Sequence, residues 1–299
     1  MFEVNPSNNS TLVKTYKTKD LISKYQKQLN FDITQYYKGI DEIKLYEELS
    51  SGYQYYYPLD IYGDSAFYEH LQKFDWYYMP WKWEHEYLLN KLNKKDKVLE
   101  VGAGGLGFIQ KLSALNFDCV GLELNEQSIE KARELGLDVK KKSIQAFSLK
   151  NNESFDVVCS FQVLEHITDV HSFISSKIKS LKPGGRLVIC VPNNDSFIKY
   201  DEGGILNFPP HHAGRWNRKS LNSVASYFNL EIVDVVYEPL QAYHSQWYIS
   251  SLSRRLKKNF FINRINKFLS IDKFIRAYVE KYRSRIIGHS IMFIYKKKH

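Results

Sequence analysis

Two adjacent histidines, His211 and His212, stand in the segment NFPPHHAGRW, and His166 stands in VLEHI. A neutral imidazole can take a proton from a hydroxyl near neutral pH, so His211 and His212 are the candidate catalytic bases. For His166 a supporting role beside a cofactor is the plainer reading. Paired histidines also suit a metal, but no third ligand stands at a matching spacing, and no metal is expected. A second group is the stretch VLEVGAGGLGFIQKL, residues 98–112, with Gly102, Gly104 and Gly107. Glycines between a strand and a helix permit a tight turn and let a ligand approach the backbone. This spacing fits a nicotinamide dinucleotide as well as other nucleotide-like ligands. Glu123, in GLELN, follows Gly102 by 21 residues. At a strand end its carboxylate can accept from both hydroxyls of a ribose, although an exposed strand-end acid is the bland alternative.

These groups need a scaffold, and from residue 97 onward the pattern alternates strand and helix. Strands are expected at Lys97–Val101, Asp118–Leu124, Asp138–Ser143, Phe155–Phe161 and Arg186–Val191, then near Leu230–Tyr237 and Ile287–Tyr295. Helices are expected up to about Leu115, at Glu126–Leu135, Val170–Leu181 and Ser220–Phe228. The stretch Phe155–Phe161 is nearly all apolar, as suits a strand buried on both faces. Strand–helix alternation at this spacing predicts a doubly wound α/β fold with a seven-stranded, mostly parallel sheet. The strand ends then carry the glycine turn, Glu123 and the histidine loop to one edge of the sheet, where such folds place ligands.

Four motifs in order, VLEVGAG, GLELN, SFDVVCSFQVLEHI (154–167) and LKPGGRLVICVPN (181–193), resemble the class I S-adenosylmethionine-dependent methyltransferases, over roughly residues 98–237 and the last strand. The resemblance implies S-adenosylmethionine as cofactor. It implies a site built from Glu100 at the end of the first strand, Gly102 and Gly104 in the turn, and Glu123 with Leu124 on the ribose. Two departures stand out. The usual third glycine position holds Leu106, with Gly107 one residue later, so the turn is slightly reshaped. Ser143, with Ile144 and Gln145, replaces the usual acid near the adenine. The 161–162 segment, Phe161 and Gln162, should border the cofactor. Tyr77, Tyr78, Trp81, Trp83 and Phe161 are candidates to face the sulfonium by cation–π attraction; of the four N-terminal rings, Tyr78 is the one assigned to the site. The Asp/Asn-Pro-Pro-aromatic tetrapeptide of many nitrogen methyltransferases is replaced here by SFQV, which favours a hydroxyl acceptor, with a sugar carbon or an amine as the alternatives.

The aromatic block YYYPLDIYGDSAFYEHL…YYMPWKWEHEYLL resembles a segment ahead of the core in bacterial surface-glycan methyltransferases, and aromatic surfaces stack well on sugar rings. Helices are expected at Asp20–Leu29 and Ile40–Leu49, and Tyr77, Trp81, Glu84 and Leu88 stand at helical spacing, with Pro80 able to start a helix. The expected organisation is an N-terminal helical and aromatic cap (1–90), a core (91–239 with 286–299) and a basic helical insertion (240–285). Residues 51–90, 203–216 and 240–285 should shape the acceptor pocket.

Residues 254–299 carry 14 Lys and Arg against 2 Asp and Glu, so the net charge of +9 belongs to this end. The apolar residues Phe261, Ile265, Phe268, Ile271, Ile275 and Tyr278 of 252–285 follow a helical period. They suit a face packed on the core, a lid over an acidic acceptor, or a contact with an anionic membrane. Nucleic acid is the least favoured partner. Charged residues at 25% and hydrophobic ones at 43% are those of a folded chain, not a disordered one. No apolar run is long enough to span a membrane, and the start lacks the pattern of a secretory leader. Cys119, Cys159 and Cys190 fall in apolar strands and read as buried thiols of a reducing, cytoplasmic compartment. Three rivals remain: a nicotinamide-dependent oxidoreductase, a non-catalytic partner that binds the cofactor, and an RNA methyltransferase.

Overall fold

A computed structural model describes residues 6, 9–77, 79–200, 202, 204–257 and 271–298. The strands in chain order are β1 (Ser10–Lys17), β2 (Glu42–Glu48), β3 (Gln54–Tyr57), β4 (Lys97–Val101), β5 (Asp118–Glu123), β6 (Val139–Lys141), β7 (Phe155–Phe161), β8 (Leu181–Pro192), β9 (Gly214–Arg215), β10 (Leu230–Pro239) and β11 (Ile287–Lys297). Among the described residues, seven of them form one sheet in the order β10-β11-β8-β7-β4-β5-β6. β6, β5, β4, β7 and β8 run parallel, and β11 lies antiparallel to both β8 and β10. The change of direction in strand order beside β4 opens a crevice above the ends of β4 and β7.

The local causes are readable. β7 is buried along almost its whole length, because helices cover both faces of a central parallel strand. The helix Glu126–Glu134 starts where the Asn125 side chain accepts the Ser128 amide. The helix Arg218–Tyr227 starts on a reciprocal capping pair, Asn217 and Ser220. The KPGG turn does structural service. Lys182 Nζ lies 2.8 and 2.9 Å from the two carboxylate oxygens of Asp156 in β7, and Asp156 also accepts the Lys97 amide at 2.9 Å. One residue pair therefore fixes the starts of three neighbouring strands.

The N-terminal part differs from its expected form. Helix α1, Thr18–Leu29, is present and buries Leu21, Tyr25 and Leu29, one residue per turn along one face. The helix expected over Ile40–Leu49 is instead β2. Ile43 and Leu45 point inward while Glu42 and Lys44 are exposed, which is the period of a strand. A second, four-stranded antiparallel sheet, β1-β2-β3-β9, was not foreseen. The helix expected from Pro80 begins at Trp83 (Trp83–Leu89), so Tyr77 and Trp81 lie ahead of it.

Before the last strand, helices cover Ala242–Lys257 and Ile271–Tyr282. Ile249 and Val279 of this pair pack with Phe197, Ile198 and Leu240 in a core cluster of their own. The expected apolar positions Phe261, Ile265 and Phe268 lie outside the described residues. No described helix is long and apolar enough to cross a membrane.

Candidate functional site

Beyond Val101 the chain turns sharply. Gly102 has φ +80°, and a Cβ there would come within 2.5 Å of Val163 Cγ2. Gly104 is also left-handed. Leu106, where the usual pattern has glycine, takes φ +65° and buries its side chain beside Ala103, Ile109 and Ala132. Gly107 serves a different need. A Cβ on it would sit 1.6 Å from the Pro80 carbonyl oxygen, so only glycine lets the N-terminal segment lie across the start of the helix.

Glu123 ends β5 and accepts three backbone amides: Gly104 at 2.7 Å, Leu124 at 2.7 Å and Asn125 at 2.9 Å. A carboxylate has about four acceptor positions. These bonds therefore fix the group's orientation and leave capacity for a ligand hydroxyl. Glu100 is buried at the end of β4, and one of its carboxyl oxygens has no hydrogen-bond partner among the described residues. Burial, aided by the charge of Glu123, raises its pKa well above the ordinary carboxylate value.

Gln162 follows β7 in a left-handed conformation, and its side-chain amide donates to Ser290 Oγ at 3.1 Å. Ser143 caps the short helix Ile144–Ser148 by accepting the Ala146 amide.

Across the crevice stand three histidines. His166 comes from the turn after β7, and His211 and His212 from the loop after β8. One ring nitrogen from each lies within 4.8 Å of the others. The expectation that no third ligand accompanies the pair is corrected here. His166 is remote in sequence but is carried to the pair by the adjacency of β7 and β8. Burial lowers the pKa of His166 to about 4 and takes those of His211 and His212 well below the ordinary imidazole value. All three rings are thus neutral at pH 7. Glu165, only 2% exposed, is pushed up to about 8 by its own burial.

The loop carrying the pair is firmly held. Tyr56 Oη donates to the Asn207 carbonyl at 2.8 Å, and Tyr37 Oη donates to the Pro209 carbonyl. The Ala213 amide donates to the Glu165 carbonyl at 2.8 Å, and β9 pairs with β3.

One cavity of about 1320 Å³ joins both halves. Glu100, Gly102, Gly104, Glu123, Leu124, Ser143, Ile144, Gln145, Phe161, Gln162, His211 and His212 all line it. Tyr78 lies outside the described residues. Of the other aromatics proposed for the sulfonium, Tyr77 lines the cavity. Trp81 and Trp83 are not among its lining residues; they pack against the cluster of Leu88 and Phe108, behind Phe108, which does line it. The three segments expected to shape the pocket all line the cavity, through Tyr68, Trp76 and Tyr77, through Ile205, Leu206, Asn207 and the histidine pair, and through Tyr243, His244 and Trp247. Gln28 and Leu29 of α1, His85 and His289 were not anticipated. His85 held a signal in hindsight: it follows Glu84 in an apolar helical stripe, where a polar ring must face either a partner or a cavity.

A family model described as a methyltransferase domain matches residues 76–235. Curated relatives include proteins named ubiquinone biosynthesis O-methyltransferase. That of Rhizobium etli is 25% identical over 182 residues, covering 56% of this chain and 71% of the relative. That of Pseudomonas entomophila is 26% identical over 193 residues, covering 57% and 78%. That of Paramagnetospirillum magneticum is 34% identical over 92 residues, covering 29% of this chain and 37% of the relative. The match thus spans little more than a third of that last protein.

Among solved structures, a SAM-dependent methyltransferase from Archaeoglobus fulgidus superposes with TM-score 0.51 at 16% identity, covering 72% of this chain and 91% of the other. The protein PH0226 from Pyrococcus horikoshii gives TM-score 0.51 at 16% identity, covering 77% and 99%. Both share the fold.

The residues present fit S-adenosylmethionine. A buried carboxyl oxygen without a partner suits its amine, a glycine turn free of Cβ atoms suits close approach, and an oriented carboxylate suits its ribose. Fold, cavity and family match agree, and the chain belongs to the class I S-adenosylmethionine-dependent methyltransferases.

Proposed function

We propose that the protein methylates a hydroxyl oxygen of a small molecule or glycan intermediate. The observation that carries this reading is the single cavity, with the glycine turn at one end and the neutral histidine cluster at the other. At about 1320 Å³ it exceeds the ~300–1,000 Å³ of ordinary single-ligand pockets, leaving room for cofactor and acceptor together. Relatives named O-methyltransferases support oxygen as the acceptor atom.

Bound S-adenosylmethionine supplies a methyl group already activated on a sulfonium. The chain's part is to hold and orient. Glu123 with the Leu124 backbone is assigned to the ribose, Glu100 and the turn at Gly102 and Gly104 to the amino-acid end, and Ser143, Ile144 and Gln145 to the adenine. Phe161 and Gln162 are assigned to the floor beneath the methyl. His211 and His212 are assigned to activating the acceptor hydroxyl, which must lie in line and at near-contact distance. Tyr68, Trp76 and Trp247 offer aromatic faces on the acceptor side, suited to an aromatic or sugar ring.

The test is an acceptor panel of phenols, sugar nucleotides and glycan intermediates with radiolabelled cofactor, run on the full chain and on His212→Ala. Label in a base-stable ether on a phenol or sugar supports the reading. Label on nitrogen, or hydride exchange with NADH in place of methyl transfer, overturns it.

A further inference from the structure

The three histidines share a feature that proton abstraction alone does not require. Each presents Nδ1 to an oxygen. His166 Nδ1 meets the His211 carbonyl at 2.6 Å, His211 Nδ1 the Leu206 carbonyl at 2.9 Å, and His212 Nδ1 the Asn207 Oδ1 at 3.1 Å. A carbonyl only accepts, so the protons of His166 and His211 sit on Nδ1. Asn207 spends its amide nitrogen on Asn194 Oδ1 at 2.8 Å and the Glu202 carbonyl at 2.7 Å. Its oxygen therefore faces His212 as an acceptor and fixes the same tautomer there. Each neutral ring is left with its lone pair on Nε2. Imidazoles whose other nitrogen is anchored on oxygen are the arrangement found around metal ligands, because the anchor fixes tautomer and ring orientation.

Glu165 adds an oxygen donor. Its Oε1 lies 4.0 Å from His166 Nε2, and its Oε2 is buried with no hydrogen-bond partner among the described residues. Holding a loop in place would explain the three anchors, but it leaves that carboxyl oxygen unexplained.

We propose that His166, His211, His212 and Glu165 form a binding site for a divalent transition-metal cation at the acceptor end of the cavity. Three imidazoles and a carboxylate suit zinc, iron or cobalt, whereas magnesium and calcium prefer oxygen donors throughout. Donors on a tetrahedral ion at ~2.1 Å stand about 3.4 Å apart. One ring nitrogen of each histidine lies within 4.8 Å of the others, so these atoms must draw together by up to about 1.4 Å, and Glu165, placed 4.0 Å from His166, must swing in to join them. Tyr77 Oη, which donates to His211 Nε2 at 2.8 Å, turns aside when the cation takes that lone pair. The site rests on the activating role given above to the cluster. It specifies the means: an acceptor oxygen bound to the cation becomes a stronger acid.

The test needs no turnover. The full chain is prepared with an affinity tag free of histidine, stripped with chelator, and titrated with Co²⁺ while visible d–d absorption is followed. Zn²⁺ is then added in competition, and S-adenosylhomocysteine binding is measured on the same samples. The expected result is one Co²⁺ per chain, displaced by Zn²⁺, with affinity reduced about 100-fold or more in His212→Ala and clearly reduced in the isosteric Glu165→Gln. Both variants should still bind S-adenosylhomocysteine, which reports that they fold. Wild-type protein that binds S-adenosylhomocysteine but takes up no stoichiometric cation overturns the site. So does a Co²⁺ spectrum unchanged in Glu165→Gln and, where it folds, in His212→Ala. A hydroxyl-acceptor reading that fails on the acceptor panel leaves the metal measurement standing, and the reverse holds too.

Discussion

The carboxylate of Glu123 accepts the amide of Gly104 at 2.7 Å, so the acid at the end of β5 and the turn after β4 form one hydrogen-bonded unit. Glu123→Ala would remove the proposed ribose contact and also free three backbone amides. Titration calorimetry should find S-adenosylhomocysteine bound more weakly by about 1–3 kcal/mol, the scale of hydrogen bonds to a charged group. Unchanged affinity would mean the acid serves the turn alone.

Gly107→Ala should lower the melting temperature by several degrees, since a methyl 1.6 Å from the Pro80 carbonyl must displace backbone. Overpacking of this kind costs about 1–3 kcal/mol, or roughly 2–4 °C per kcal/mol in a chain somewhat smaller than this one. Thermal unfolding followed by circular dichroism checks it. An unshifted transition would mean that the N-terminal segment does not lie across the helix start in solution.

Leu106→Gly sets two effects against each other. Glycine relieves a left-handed residue at a gain of about 1–2 kcal/mol. It also deletes a side chain that is 1% exposed, at a cost of about 2–5 kcal/mol. Burial wins, and the variant should be less stable by about 1–3 kcal/mol in urea unfolding. A gain in stability would reverse that ranking.

Lys177 is fully buried, with Nζ 2.5 Å from Ser160 Oγ, and burial lowers its pKa from 10.5 to about 7. Between those values the unfolded chain holds a proton that the folded chain has released, so this residue makes stability rise with pH across that window. Below about pH 7 both states are charged and the whole cost of burying the ammonium remains. Lys177→Met should therefore stabilise the protein at pH 7 by about 1–4 kcal/mol. Its advantage should shrink toward about pH 10. Urea midpoints at both ends of the window check this, and an advantage independent of pH would rule out the assigned cause.

Much of the core was legible because its signals are local. The apolar run of β7 and the glycine turn each announce themselves within a few residues. β2 was misread because Ile40, Ile43 and Leu45 also fit a loose helical stripe, and the partners that make them strand residues lie in β1 and β3. At the glycine-turn end of the cavity, Glu100, Glu123 and Gly102 sit at strand ends, where alternation alone fixes their position. The histidine end of the cavity resisted reading for a physical reason. His166 joins His211 through strand adjacency, and His289 and Gln28 reach the cavity from opposite ends of the chain. No spacing in the sequence encodes those meetings.

The pairing of Gln54 with Arg215 and Tyr55 with Gly214 stitches the N-terminal sheet to the loop that carries the histidine pair. That seam makes the two segments one mechanical part: a change of register between β3 and β9 would carry His211 and His212 with it, against the pull of the Ala213 amide on the Glu165 carbonyl in the turn after β7.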